Sequence, residues 1–114
     1  MTSEERRLRE RTLQAYIKKV ISMTNNAVVT EQTTVADALG LDANNYINIL
    51  YKDLDLSQRA FNCITRYLNP PIQGIEERWQ VSDLLNLTIG NYVDVRNLGI
   101  EAFSEILSTL NELR

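Results

Sequence analysis

Asn97, Leu98 and Gly99 interrupt the helical pattern between GNYVDV and IEAFSEILSTLNEL, and they are the residues of this chain best suited by type and spacing to hold an anion. A glycine accepts the left-handed backbone of a tight turn and leaves nearby amide groups open. The helix that follows presents the positive end of its dipole at the same place, so a phosphate would meet N–H donors and a favourable field together. A glycine that merely caps a helix has the same local sequence, and the tripeptide alone does not separate the two readings.

Other chemistry is poorly supplied. The chain has no histidine and one cysteine. Zinc ligation and Cys–His nucleophilic catalysis therefore lack their usual groups. Cys63 lies in the apolar context AFNCI and reads as a small buried side chain. Asp53 and Asp55 are close in sequence, but they suit the start of the next helix better than a shared proton. With no phosphate-cradling Gly-rich loop either, neither an enzyme nor a cofactor is expected.

The elements that must position the turn belong to one domain. At 114 residues, with 44% apolar and 24% charged residues, the chain has the length and composition of a single globular unit spanning 1–114. No apolar run approaches the roughly 20 residues that cross a bilayer. MTSEERRLRERTLQ carries both charge signs and lacks a signal peptide's apolar stretch, so a cytoplasmic location without a membrane partner is expected. With a net charge of −3 a broad basic face is not expected, and any nucleic-acid contact would be made locally by few cations.

Apolar periodicity predicts an all-α fold. A first helix covers 4–23, with Leu13, Ile17, Val20 and Ile21 on one face and Asn25 and Asn26 after it. Its RRLRER cluster reads as a solvated face, with a basic arm on DNA as the alternative use. Its apolar stripe needs a cover, and failing one within the chain the helix would self-associate. Thr33 or Thr34 caps VADALG, and Gly40 stops it. A short helix is predicted in ANNYINILYK. Ser57 caps the next helix, with Phe61, Ile64 and Leu68 on one face, and Pro70 and Pro71 close it. IEERWQ connects to short helices at SDLLNL and GNYVDV, the RNLG turn, and a last helix over about 100–113. NAVVTEQTTV is the best strand candidate, and a weak one.

TVADALGLDANNYINI (34–49) lies over QVSDLLNLTIGNYVDV (80–95) at a constant offset of 46 residues, and Val, Asp, Leu, Leu and Asn-Tyr recur without a gap. The pattern reads as an internal duplication of a helix-hairpin-helix-like unit, with copies at about 8–54 and 55–114. After NYINI the first copy continues LYKDL, whereas the second continues RNLG. A phosphate site is therefore expected in the second copy alone.

LDLSQRAFNCI, then VSDLL, VRNLG and FSEI, in that order, resembles the C-terminal domain of the bacterial RNA polymerase alpha subunit. The likeness covers 53–112, and its most specific pieces are RAFNC and RNLG. It implies a transcription-related module that binds the minor groove of A/T-rich DNA and docks on sigma factor or regulators. Carried over position by position, it places the minor-groove arginine on Arg59, its neighbour on Asn62, and the phosphate turn on Asn97 and Gly99. An arginine suits the enhanced negative potential of a narrow A-tract groove. Pairing with Asp55 is the ordinary alternative for Arg59.

The sequence departs from the family in places. Glu101 and Ala102 stand where the family has a lysine and a serine, and Glu101 near a phosphate would repel it. Ser82 replaces a glycine, and the connector between Leu68 and Val81 is longer. Thr65 replaces a lysine, for which the adjacent Arg66 is a substitute. The family's assembly domain is absent, so a complete alpha subunit is not expected. Weak DNA binding is the first expected function. The second is a protein-interaction module that docks on RNA polymerase, sigma factor or a transcription regulator through Tyr67 and Trp79, aromatics of the kind that anchor interfaces.

Overall fold

The computed structural model describes residues 2–25, 28–47, 49, 54–68 and 80–113. Six α-helices account for most of them: α1 Ser3–Thr24, α2 Val35–Leu39, α3 Gln58–Leu68, α4 Val81–Leu85, α5 Ile89–Val93 and α6 Gly99–Asn111, with one 3-10 turn at Ala43–Tyr46. No strand occurs among the described residues. From NAVVTEQTTV the fold takes one isolated bridge, Thr34 to Thr88.

Local chemistry sets the helix ends. Thr2 accepts the Glu5 N–H at 3.1 Å to start α1, and Asn25 ends it in the left-handed conformation. Thr34 accepts the Asp37 N–H to start α2, and Gly40 closes it with φ 71°. Thr88 and Asn91 exchange backbone-to-side-chain bonds in a capping box at the head of α5. ANNYINILYK departs from the predicted helix. Asp42 accepts the Asn44 N–H at 3.0 Å, and only the 3-10 turn forms among its described residues. Asn44 and Asn45 are weak helix formers whose side groups compete for backbone partners. Residues 48 and 50–52 of this segment, with the Pro-Pro loop, IEERW, Asn26 and Asp53, lie outside the described residues.

The two related segments keep the offset seen in the sequence: α2 and α4 occupy 35–39 and 81–85, while the 3-10 turn and α5 begin at 43 and 89. They are stitched at their caps. Val35 N–H donates to Leu87 O and Ile89 N–H to Thr33 O, both at 2.9 Å. One core draws on both segments, with Val35, Leu39, Leu84, Leu85, Ile89, Tyr92, Phe103, Ile106 and Leu107 fully buried.

The stripe on α1 is covered internally. Leu13, Tyr16 and Val20 are buried as α1 packs on α5 and α6, and Tyr16 stacks on Phe103 with ring centroids 4.3 Å apart. Self-association through 4–23 therefore lacks the uncovered apolar face it required. Arg9 pins this packing: its Nε and Nη2 donate to Asp94 Oδ1 and Oδ2 at 2.9 and 3.1 Å, and Nη2 also reaches Glu31 Oε1 at 2.6 Å. These bonds, to Asp94 first and then Glu31, raise the guanidinium's already high pKa. Gly90 makes the close approach possible, because a Cβ there would stand 2.5 Å from Glu31 Cγ.

Candidate nucleic-acid interface

The site begins with the way α3 is held. Ser57 Oγ accepts the Ala60 N–H at 3.2 Å, as an N-cap should. The Ser57 N–H donates to Glu105 Oε2 of α6 at 2.6 Å, so the first turn of α3 is fixed against the last helix. Ala60, Cys63 and Ile64 are buried, and Phe61 is partly so. Helical spacing puts Arg59, Asn62 and Arg66 together on the opposite, exposed face.

The turn between α5 and α6 faces this helix. Leu98 is buried in a right-handed conformation (φ −68°, ψ −56°), flanked by positive φ at Asn97 (64°) and Gly99 (74°). Alternation of this kind between successive residues directs amide groups toward one concavity, a backbone device for binding anions. Asparagine is among the few residues that tolerate the left-handed region. The Cys63 thiol donates to Asn97 O at 3.6 Å, tying α3 to the turn. Cys63 is thus buried, as the sequence suggests, and also supports the site.

Gly99 brings turn and arginine together. A Cβ built on it would lie 3.7 Å from Arg59 Nη2. Arg59 makes no ion pair with Asp55 or any other described residue. Asn62 Oδ1 accepts from Gln58 Nε2 at 3.1 Å one turn earlier. α6 starts without a side-chain cap, and Glu101 is exposed and bonded to none of the described turn groups. Its amides are therefore not occupied by its own acidic residue.

Two concavities meet at the turn. A groove of about 510 Å³ runs between α1 and the turn, with Arg11, Thr12 and Tyr16 on one wall and Asn97, Gly99 and Ile100 on the other. A cleft of about 320 Å³ on the other side is lined by Cys63, Arg66, Tyr67, Asp94, Arg96 and Asn97. Arg11, Arg59, Arg66 and Arg96 are exposed and, among the described residues, unpaired. Asp94 is engaged by Arg9. An acidic protein thus bears a local cationic surround, with Glu101 as its exposed negative neighbour. A wider concavity of about 670 Å³, lined by Thr34, Asp37, Gly40, Asp42 and Asn86 among others, has no cation in its lining.

The family model for the C-terminal domain of the bacterial RNA polymerase alpha subunit matches residues 41–112. The protein belongs to that family. It is also 36% identical over 62 residues to the DNA-directed RNA polymerase subunit alpha of Fusobacterium nucleatum subsp. nucleatum, an overlap of 54% of this protein and 16% of that subunit. No solved structure matches it.

The alpha C-terminal domain match starts at residue 41, earlier than the 53 inferred from motifs, and takes in the 3-10 turn together with α3 to α6. It leaves α1 and α2 outside. The family is a non-catalytic part of RNA polymerase and makes this protein a transcription-related module. Among the described residues no helix is long and apolar enough to cross a membrane, and no group of three acidic or sulfur ligands is placed to hold a metal.

Of the residues singled out in the sequence, Arg59, Asn97 and Gly99 come together. Asn62 shares the Arg59 face, while Arg66 and Tyr67 line the cleft beside Asn97. Trp79 lies outside the described residues. Sequence reasoning passed over Arg96 and took Arg11 only as one member of a solvated cluster or, alternatively, of a basic arm on DNA. Arg96 stands inside VRNLG and was available as a neighbour of the turn. Arg11 is one of four arginines in RRLRER, and only the docking of α1 shows which of them reaches the groove.

Proposed function

We propose that this alpha C-terminal domain relative is a DNA-binding module. It holds the sugar-phosphate backbone with the Asn97–Gly99 turn and the amides of α6, and places Arg59, with Asn62 beside it, in an A/T-rich minor groove. The observation that carries this reading is the seat of Arg59 Nη2 against Gly99, which allows backbone amides and a free guanidinium to engage one strand. Arginine reads groove width and potential more than base identity, so an A/T preference without strict sequence is the consequence. Few phosphates are neutralised, which makes the affinity modest and the salt slope shallow. Nuclear magnetic resonance titration with an A/T-rich duplex tests it: shifts centred on Arg59, Asn62, Asn97 and Gly99 support the assignment, and shifts confined to other helices contradict it.

The exposed ring of Tyr67, beside Arg66 and Arg96 in the cleft, favours a second reading. In it the cleft docks an acidic segment of RNA polymerase, sigma factor or a transcription regulator, with the tyrosine as anchor. Co-purification with RNA polymerase that Tyr67→Ala abolishes, without loss of DNA affinity, distinguishes it from the first.

A further inference from the structure

We infer that α1 supplies a second cationic wall to the phosphate site, with Arg11 as a backbone-contacting residue for the neighbouring phosphate. This rests on the DNA-binding reading above and extends it to an element outside the family match, which begins at residue 41. Arg11 and the turn residues Asn97 and Gly99 line the same groove of about 510 Å³. Arg59 reaches Gly99 from α3. The turn is therefore approached by cations from two different helices.

The wall is rigidly built. Buried Leu13, Tyr16 and Val20 fix the rotation of α1, and the Arg9 bonds to Asp94 and Glu31 hold it against α5 and the loop before α2. Ala15, one turn beyond Arg11, also lines the groove, and its small side chain leaves the space open. Arg7 and Lys18 lie along the same side of the helix by their spacing, both exposed and in no ion pair with the described residues. A strand seated on the Asn97–Gly99 turn would run along this edge. Arg11 touches no base in that arrangement, so its contribution is indifferent to sequence.

The test compares two single-charge losses on α1 in the 114-residue chain. Arg6 is exposed but turned about 140° around the helix from Arg11. Fluorescence anisotropy with labelled A/T-rich and G/C-rich duplexes is measured over a salt series for the wild type, Arg11→Gln, Arg6→Gln and Arg11→Lys. The expected result is a several-fold loss for Arg11→Gln on both duplexes, a salt slope shallower by about one, substantial recovery in Arg11→Lys, and little change in Arg6→Gln. Equal losses in Arg11→Gln and Arg6→Gln would reduce the effect to net charge and overturn the inference. Wild-type affinity in Arg11→Gln, alongside a loss in Arg59→Ala, overturns it while leaving the DNA-binding reading in place. No binding by the wild type at low salt overturns both. Matching circular dichroism melts across the variants exclude unfolding as the cause.

Discussion

Arg59 and Gly99 form the hinge point of the candidate interface: the guanidinium Nη2 would stand 3.7 Å from a Cβ at position 99. The relationship joins two elements forty residues apart in sequence. It depends on Glu105 holding the head of α3, on Cys63 tying that helix to the Asn97 carbonyl, and on buried Leu98 anchoring the turn.

Gly99→Ala separates conformation from contact. The 3.7 Å distance is ordinary van der Waals contact, so the cost comes from φ 74°, a left-handed backbone that disfavours a Cβ by about 1–2 kcal/mol. The variant folds, with a melting temperature lowered by several degrees. Its DNA affinity falls as well, because relief of the strained φ re-aims the turn amides relative to Arg59. A thermal melt and an anisotropy titration of the same preparation check the pair of outcomes.

Glu101→Lys asks how much the acidic neighbour restrains the site. Glu101 is exposed and makes no hydrogen bond to the described turn residues, so its replacement costs only the favourable charge it places in the first turn of α6, about 0.5–1 kcal/mol of stability. A repulsive charge becomes an attractive one at the head of α6. DNA affinity at low salt should rise several-fold, and the slope of log affinity against log salt should steepen by about one. An unchanged titration means that phosphates do not approach this helix end.

Alkaline unfolding reports on the core under the site. Tyr92 is fully buried, its hydroxyl donates to Leu84 O at 2.8 Å, and burial pushes its pKa far above the usual phenol value. Tyr16 is shifted the same way, mainly by burial and secondarily by Cys63. The unfolded state ionises these phenols near pH 10, and the folded state holds both protonated to higher pH, Tyr92 most strongly. Their protonated state therefore imposes no pH dependence below about 10, and stability falls above it as the unfolded state loses protons, by up to about 1.4 kcal/mol per pH unit for each phenol. Tyr92→Phe should lower stability at neutral pH by about 0.5–1.5 kcal/mol, since the Leu84 carbonyl loses the hydroxyl and keeps only its backbone donors, and should make the alkaline decline shallower. Urea melts at pH 7, 9, 10 and 11 measure both effects.

Helices were legible where one local signal set each end. Thr34, Gly40 and Ser57 cap where their residue types indicate, and the α1 stripe turns inward with Leu13 and Val20 buried, although Tyr16 completes the buried row and Ile17 and Ile21 are only partly covered. ANNYINILYK was less legible because Asp42 captures the Asn44 N–H at the head of a segment that two asparagines, weak helix formers, do not extend beyond a 3-10 turn, a competition that apolar spacing does not record. The turn itself was readable from Asn97 and Gly99. The partners brought to it were readable only in part: Arg59 came from a family likeness, whereas Arg11 lies 88 residues before Gly99 and reaches the same groove through the packing of α1. Long-range placement of that kind is set by the core, whose Tyr16–Phe103 stack no local pattern encodes.

The most direct test of DNA binding through Arg59 is the affinity of the wild type and of Arg59→Ala for labelled A/T-rich and G/C-rich duplexes at low salt. The expected result is weak, A/T-preferring binding by the wild type, and in Arg59→Ala a drop of about tenfold or more on the A/T-rich duplex that erases the preference. Equal affinities of the two proteins for the A/T-rich duplex, or no binding by either, would contradict it.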